Sequence, residues 1–257
     1  MSGSFDERGR LEIADGRIIV CVGKKKSGKS VMALLFFDSY PYDRVVIDVA
    51  GDDGPWGQHV IELHGDVTDL PRRWPEQLRE DNQPMILRYV PDAGSPTFRE
   101  DMDAVAGLAL RHGKASGHCC LLVHEGGVLA PANQTPPNMR RALNHNRHNN
   151  LTLILAMPRP MTVEPLILQQ ADVVCVFDVP NPADRRRVAD TIGWDPEDFD
   201  ASWRDLQVHE YLRYDANEPR PNGQEPDLRL THWPALPPDV VEGILRQAHG
   251  GYDAKAR

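Results

Sequence analysis

The sequence predicts an α/β fold in which a mostly parallel β-sheet carries helices on both faces. Several short segments consist almost wholly of Val, Ile, Leu and Cys, which is typical of parallel strands that are buried on both sides. These segments alternate with longer ones that have the composition of helices. A glycine-containing loop stands between the first clear strand and the first clear helix. The 257 residues are enough for one large domain of this kind or two small ones.

Strands are predicted wherever an apolar, β-branched run ends at turn-forming residues. The clearest runs lie at 17–22, 44–49, 119–123, 151–156 and 173–177. Shorter or more mixed runs are assigned to strands at 11–14, 60–63, 85–90, 209–214 and 228–230.

Helices are predicted in the segments between these strands. The first covers 31–40 and stops before Pro41, because the residue before a proline disfavours helical geometry. A helix at 95–113 is predicted because Ser95 and Pro96 are favoured as N-cap and first helical residue. Further helices are predicted at 74–79, 139–148, 164–170, 181–192, 198–206 and 237–249.

The loop at 23–30 reads GKKKSGKS and fits the phosphate-binding pattern G-x-x-x-x-G-K-[S/T] at every fixed position. It follows a predicted buried strand and opens a predicted helix, which is the context that such a loop needs to bind phosphates through its backbone N–H groups. A turn that matches the pattern by chance is the alternative. In the phosphate-binding interpretation, Lys29 reaches the β- and γ-phosphates of ATP and the Ser30 hydroxyl binds Mg²⁺. The residues expected to contact the nucleotide are Gly23, Lys24, Lys25, Lys26, Ser27, Gly28, Lys29, Ser30 and Val31.

Glu125 is the candidate to polarise the water that attacks the γ-phosphate. It comes just after the apolar strand at 119–123, at the edge where open α/β sheets bind ligands. A solvated loop glutamate is the alternative. Many P-loop ATPases have an acidic pair at this point, but here His124 stands first, and Mg²⁺ prefers oxygen ligands to imidazole. Asp48, at the end of its own predicted strand, is therefore a second candidate for the Mg²⁺ site.

Several arginines are candidates to neutralise charge on the phosphates. Arg147, and as second choice Arg141, lie in a polar basic segment that is either a solvated helix or an interface helix that inserts an arginine into the nucleotide site of a neighbouring subunit. Arg159 follows the strand at 151–156 and is a candidate sensor of the γ-phosphate. The run at 185–187 is expected to face solvent, or to contact DNA weakly.

The composition restricts the class of function. The net charge is −9, whereas proteins that coat nucleic acid are usually basic, so any contact with DNA must be local. The four cysteines fall in predicted strands without a C-x-x-C pair, which indicates reduced core residues of a cytoplasmic protein and no structural zinc site. No apolar run reaches the ~20 residues that span a bilayer, and no signal peptide opens the chain, so no membrane segment is expected.

The ordered set of motifs resembles the FtsK/HerA superfamily of DNA-pumping ATPases. The resemblance rests on the P-loop, on VIDVAG at 46–51, on LLVHE at 121–125, on Arg147, and on LILAMPRP at 153–160 with the strand that follows. The family typically has Asp before the Glu and a Gln in the last motif, where this chain has His124 and Pro158.

The resemblance implies a RecA-like core, a ring of six subunits, and ATP-driven movement of double-stranded DNA with ATP and Mg²⁺ bound. The stretch at 215–224 is rich in Pro, Asn and Glu, as a surface loop or linker is, and it predicts a division into a lead-in at 1–16, a P-loop ATPase domain at 17–215 and a C-terminal loop and helix at 216–257. The chain is most similar to the compact packaging or transfer ATPases of viruses and mobile elements.

Other functions remain open at this stage. Lys24 matches the extra lysine of ParA/MinD-like dimeric ATPases, although Lys25 and Lys26 replace their usual glycine pair. A nucleotide-gated assembly switch with little hydrolysis is suggested by His124 and Pro158. A small nucleotide or metabolite kinase is a third class, for which the sequence offers no acceptor site.

Overall fold

The computed structural model describes residues 13–51, 60–65, 67, 84–218 and 227–248. Its strands are β1 (Ile18–Val22), β2 (Arg44–Ile47), β3 (Val60–His64), β4 (Ile86–Val90), β5 (Cys119–Val123), β6 (Leu151–Met157), β7 (Val173–Val176), β8 (Tyr211–Asp215) and β9 (Leu230–Trp233). Its helices are α1 (Lys29–Ser39), α2 (Phe98–Ser116), α3 (Gly126–Leu129), α4 (Pro137–His145), α5 (Pro165–Gln169), α6 (Pro182–Ile192), α7 (Pro196–Arg204) and α8 (Pro238–Ala248). Single 3₁₀ turns lie at Arg147–Asn149 and Pro160–Thr162.

The described strands form one sheet in the order β3-β4-β2-β5-β6-β1-β7-β8-β9. The first seven strands of this order are mutually parallel, and β8 and β9 are added antiparallel at one end. The carboxyl ends of the parallel strands therefore meet at one edge, which is where open α/β sheets bind ligands. The predicted mostly parallel sheet is confirmed.

Alternating side chains of each central strand enter two different cores. In β1, Ile18, Val20 and Val22 belong to the core under α2, α4, α5 and α6, whereas Ile19 and Cys21 belong to the core under α1 and α8. This follows from the two-residue period of a strand and explains why β1 is apolar at every position. The predicted helices on both faces are thus confirmed.

The helix α1 is buried on almost every side because it lies between the sheet and α8. Its buried residues run without interruption from Met32 to Phe37, and Ile244 of α8 packs into the same core. The C-terminal segment therefore extends the main sheet through β9 and covers α1 through α8. Among the described helices, none has both the length and the apolarity needed to cross a bilayer.

The cysteines lie in the cores of the sheet, as predicted, and all four are free thiols. Burial raises the pKa of the thiols of Cys21, Cys119 and Cys120. A raised pKa keeps these thiols protonated, so they behave as small apolar side chains and not as nucleophiles.

Several predicted boundaries are wrong. The helix predicted from Ser95 begins at Phe98, because Ser95 and Phe98 donate backbone hydrogen bonds within a turn and Thr97 becomes the N-cap. The helix predicted at 139–148 ends at His145 and gives way to a 3₁₀ turn. Ile13 and Ala14 are not in a strand, and the helix predicted at 74–79 lies outside the described residues.

Candidate functional site

The predicted P-loop leaves the carboxyl end of β1 and passes between the ends of β6 and β7. The Gly23 N–H donates to the Met157 carbonyl at 3.2 Å, and the Lys24 N–H donates to the Asp178 carbonyl at 2.8 Å. Gly23 is closely surrounded, because a Cβ placed there would lie 2.4 Å from the Ser27 Oγ and 2.8 Å from the Phe177 Cβ. The loop is thus fixed by both neighbouring strands, and its first glycine is required sterically.

The loop and the start of α1 have the features of an anion site. Gly28, at a φ of +103°, is the N-cap of α1 and offers no side chain to the first N–H groups of the helix. The Ser27 Oγ is buried and has no hydrogen-bond partner in the described part of the chain. Open N–H groups at the positive end of a helix attract phosphate, so the residues present fit a bound phosphate group.

Lys29 and Glu125 come together at this edge of the sheet. Burial lowers the pKa of the Lys29 ammonium, and the negative charge of Glu125 partly offsets that effect. The strand register explains their proximity: β6 lies between β1 and β5, pairing Val22 with Met157 and Val123 with Leu155. The exposed Glu125 therefore stands about level with the start of the P-loop, with one strand between them.

Asp48 is buried and its carboxylate is held by Arg88. The Arg88 guanidinium donates to the Asp48 Oδ2 from Nε at 3.1 Å and from Nη2 at 2.8 Å, and Nη1 donates to Glu62 at 2.9 Å. Burial alone would lower the pKa of Arg88, but these hydrogen bonds outweigh that effect and the pKa is raised. The hydrogen bond from Arg88 lowers the pKa of Glu62. The other oxygen, Asp48 Oδ1, lies 3.8 Å from the His124 Nδ1. The Gly51 N–H also donates to the Asp48 Oδ1 at 3.2 Å, so both oxygens of this carboxylate have partners, and the Mg²⁺ role of Asp48 stays a prediction.

Arg159 lies just beyond β6 at the same carboxyl edge. Its Nε is 3.4 Å from the Asp184 Oδ2, and the other oxygen of that carboxylate accepts a hydrogen bond from the Met161 N–H. The Asp184 side chain is buried, whereas 55% of the Arg159 side chain is exposed. The guanidinium is therefore anchored at one nitrogen and accessible at the others.

Arg147 lies at the opposite edge of the sheet from the P-loop. It follows α4 and precedes β6, and its backbone packs on Gly16 just before β1. Its guanidinium binds the buried Asp172 at 2.5 Å, and the same carboxylate accepts from the Ile18 N–H. Arg147 thus lies away from the P-loop of its own chain. Its predicted role is to contact a nucleotide, and it could do so only in a neighbouring subunit. Arg141 is exposed on α4.

A groove of about 410 Å³ opens beside the P-loop on the β7 side. We call it the side groove, and its lining includes Lys24, Trp203, Leu206, Val208 and His209. The Lys24 ammonium reaches across to the Asp178 carboxylate at 2.5 Å. The His209 Nδ1 lies 3.3 Å from the Ser27 carbonyl oxygen, so the imidazole is placed against the loop.

The expectation that the run at 185–187 faces solvent is wrong for Arg185. This residue is buried and its guanidinium stacks on Trp203 at 4.0 Å. It also binds Asp200 and the carbonyls of Val179 and Pro180. Arg185 therefore fastens α7 to α6 and supports the wall of the side groove.

Metal-ligating side chains are not gathered in the described residues: no group of three or more His, Cys, Asp and Glu is placed to hold an ion. His145 and His148 have ring centroids 6.3 Å apart and lie at the surface. A magnesium ion bound by this site would rely on Ser30 and on the oxygens of its phosphate ligand.

Sequence reasoning missed four residues that shape the site: Arg88, Asp178, Trp203 and His209. One signal was available, since an arginine inside the apolar run 86–90 must find a carboxylate when that strand is buried. Nothing in the sequence indicates that His209 lies against the P-loop. Its left-handed backbone (φ +67°) arises in the turn before β8, which only the structure shows.

Comparison with known proteins gives matches among solved structures. No protein-family model matches the chain, and no curated protein matches it. The genome packaging NTPase B204 from Sulfolobus turreted icosahedral virus 2, in complex with sulfate, is 21% identical over 88% of this chain and 99% of that chain, with a TM-score of 0.64. The same NTPase in complex with AMPPCP is 20% identical over 87% of this chain and 100% of that chain, with a TM-score of 0.62.

A bacterial structure is also similar. The cytoplasmic domain of the Thermomonospora curvata type VII secretion ATPase EccC is 16% identical over 95% of this chain and 30% of that chain, with a TM-score of 0.51. The chain therefore has the α/β fold of P-loop NTPases, as predicted. Each of these structures is less than 25% identical to this chain, so the likeness shows the fold alone.

Proposed function

We propose that this chain is an ATPase of the FtsK/HerA superfamily that uses ATP hydrolysis to move or package double-stranded DNA, acting as a ring of six subunits. The observation that carries the proposal is the placement of Glu125 beside Lys29, one strand away from a P-loop with an open helix N-terminus. The fold shared with B204 supports it, since that protein is described as a DNA-packaging ATPase.

Each P-loop group has a distinct task in this proposal. Backbone N–H groups of the loop and of the start of α1 bind the phosphates, and Lys29 neutralises charge on the β- and γ-phosphates. The Ser30 hydroxyl would hold Mg²⁺, which would supply positive charge to the phosphates. Glu125 orients the attacking water and accepts a proton from it. The Glu125 side chain is exposed, so water can reach it.

Arginines supply further positive charge as the γ-phosphate leaves. Arg159 reaches from the carboxyl edge of the same chain, where Asp184 holds only its Nε. Arg147, or Arg141 on the adjacent helix, comes from a neighbouring subunit, which the position of Arg147 at the far edge of the sheet supports. An arginine supplied in this way accelerates phosphoryl transfer by about 10³–10⁵-fold in other enzymes.

A nucleotide-gated assembly switch is the second candidate. It is favoured by the state of Asp48, whose carboxylate is held by Arg88, and by His124 in place of a second carboxylate next to Glu125. In that function, bound ATP orders a subunit interface without turnover. The ParA/MinD-like alternative needs Lys24 to reach a partner subunit, whereas Lys24 here binds Asp178 of its own chain.

The deciding experiment compares ATP hydrolysis with and without duplex DNA for wild type, Lys29→Ala and Glu125→Gln. A motor gives DNA-stimulated turnover that both substitutions abolish, while Glu125→Gln still binds ATP because its phosphate-binding groups are intact. Mass measurement of the ATP-bound protein then tests the ring. ATP binding that requires Lys29, with no turnover on any DNA, contradicts the motor and favours the switch.

A further inference from the structure

The side groove has no task in the phosphate chemistry proposed above. It adjoins the P-loop on the β7 side, whereas Glu125 follows β5 on the opposite side of β1. A nucleotide whose γ-phosphate lies toward Glu125 must direct its other end away from β5. The side groove lies in that direction, and its volume of about 410 Å³ is within the range of small-ligand pockets.

We infer that the side groove binds the base and ribose of the nucleotide whose phosphates the P-loop holds. The inference rests on the proposed nucleotide binding and adds a site for the nucleoside. Its walls come from the P-loop, from α7 with the turn after it, and from Asp178 after β7, so the groove is continuous with the phosphate site.

His209 is the ring best placed to contact the base. Its Nδ1 is 3.3 Å from the Ser27 carbonyl oxygen and would be 3.7 Å from a Cβ on Gly28, so the imidazole lies over the end of the loop. Its backbone has a φ of +67°, a left-handed conformation that histidine adopts more often than most residues do. Exposed aromatic rings are the usual stacking partners of bases.

Val208 provides an apolar rim next to this ring. Its side chain is 80% exposed, which leaves apolar surface open beside the groove. Trp203 forms part of the wall and is fixed by a hydrogen bond from its Nε1 to the Phe177 carbonyl at 3.0 Å. An apolar wall with a few polar groups is the common composition of a small-molecule site.

The carboxylates of the groove are already engaged. Asp178 binds Lys24, and Glu210 accepts hydrogen bonds from His232 and from the Gln207 N–H, each at 2.8 Å. These contacts use one oxygen of each carboxylate, the Oδ2 of Asp178 and the Oε2 of Glu210. Stacking on a ring does not depend on which purine is present, so we expect the groove to bind both adenine and guanine.

The test is a set of calorimetric titrations with Mg²⁺ and three probes: ATP, GTP and inorganic triphosphate. Val208→Asn and His209→Asn are compared with wild type, and Asn is chosen because it tolerates the left-handed backbone at 209. Leu228→Asn is the matched control, since Leu228 is another exposed apolar residue (51%) and does not line the groove. We expect wild type to bind ATP and GTP within about tenfold of each other, and His209→Asn to weaken both by roughly tenfold, the scale of one lost stacking contact.

The triphosphate separates the two proposals. Unchanged triphosphate affinity in Val208→Asn and His209→Asn, with weakened ATP and GTP, supports the nucleoside site. An equal loss of affinity for ATP and for triphosphate would show that these residues act on the P-loop, and it would overturn the nucleoside site. Unchanged ATP affinity in both variants would also overturn the nucleoside site. If wild type binds neither ATP nor triphosphate, the proposed function itself fails.

A direct readout uses 8-azido-ATP, which carries its photoreactive group on the base. Irradiation of the wild-type protein is expected to label the segment 203–210, and excess inorganic triphosphate should reduce the labelling by competing at the P-loop. Labelling confined to other segments overturns the inference.

Discussion

The Arg88 side chain shows at the residue scale how one buried charge organises its surroundings. It projects from β4, where its side chain is 5% exposed, and it joins the buried Asp48 to Glu62 on the neighbouring strand β3. A charge in this position is tolerated because two carboxylates accept hydrogen bonds from it. The pair also keeps Asp48 in place beside His124, next to the proposed catalytic Glu125.

Replacing Arg88 with Met tests this arrangement. We expect a loss of about 3–5 kcal/mol in the free energy of unfolding, because Asp48 keeps a buried charge without its partner. Urea denaturation measures the loss. Arg186→Met is the control, because the Arg186–Asp190 pair at 3.7 Å is exposed, and such pairs contribute at most about 1 kcal/mol. The double variant Arg88→Met/Asp48→Asn should recover part of the stability, and similar losses for Arg88→Met and the control would contradict the interpretation.

At the scale of the element, the P-loop depends on the backbone of two glycines for its shape. Gly23 has no space for a side chain, and Gly28 supplies a left-handed N-cap from which α1 begins. The loop is short, but its position is set by hydrogen bonds to Met157, the last residue of β6, and to Asp178, which follows β7. Its geometry is therefore a property of three strands together.

Gly23→Ala separates steric fit from general backbone strain. The new methyl group would lie 2.4 Å from the Ser27 Oγ, so the loop must move, and we expect ATP affinity to fall by at least about tenfold. Gly117→Ala is the control: Gly117 has a φ of +89° at the end of α2, and a Cβ there meets nothing within 4 Å. That change should lower stability by about 1–2 kcal/mol without changing ATP affinity. Calorimetry measures the ATP affinity of both variants, and urea denaturation measures their stability. An ATP affinity unaffected by Gly23→Ala would contradict the steric argument.

The elements also show how far sequence patterns reach. The strands β1, β5 and β6 were predictable because apolar runs of this length with turn residues at both ends have few other structures open to them. The start of α2 was not, since Ser95 and Pro96 suit a turn as well as a helix start. The P-loop could be found because its residues are adjacent in the chain. The side groove could not, because Lys24 and His209 are far apart in sequence and meet only when β8 pairs with β7.

At the scale of the whole molecule, the parallel sheet separates two sets of charged groups. Lys29, Glu125 and Arg159 lie at the carboxyl edge, while Arg147 and Asp172 lie at the amino edge. A single chain cannot bring Arg147 to its own P-loop without unfolding the sheet. If Arg147 acts on ATP, it must act on the ATP of another subunit, so activity must depend on assembly.

Mixing subunits tests this dependence. Lys29→Ala and Arg147→Ala are each expected to be inactive alone, because one lacks the phosphate-binding lysine and the other the arginine given to its neighbour. In a randomly mixed ring from equal amounts, about a quarter of the sites combine an intact P-loop with an intact arginine, so roughly that fraction of wild-type turnover should return. The measurement is ATP hydrolysis on duplex DNA after joint refolding or exchange.

Lys29→Ala mixed with Glu125→Gln is the control, since both residues belong to the same site and no mixed site is complete. If the Arg147 mixture stays inactive, the same test with Arg141→Ala examines the other arginine. Failure of both, with a stability loss in Arg147→Ala, would leave Arg147 as a structural partner of Asp172.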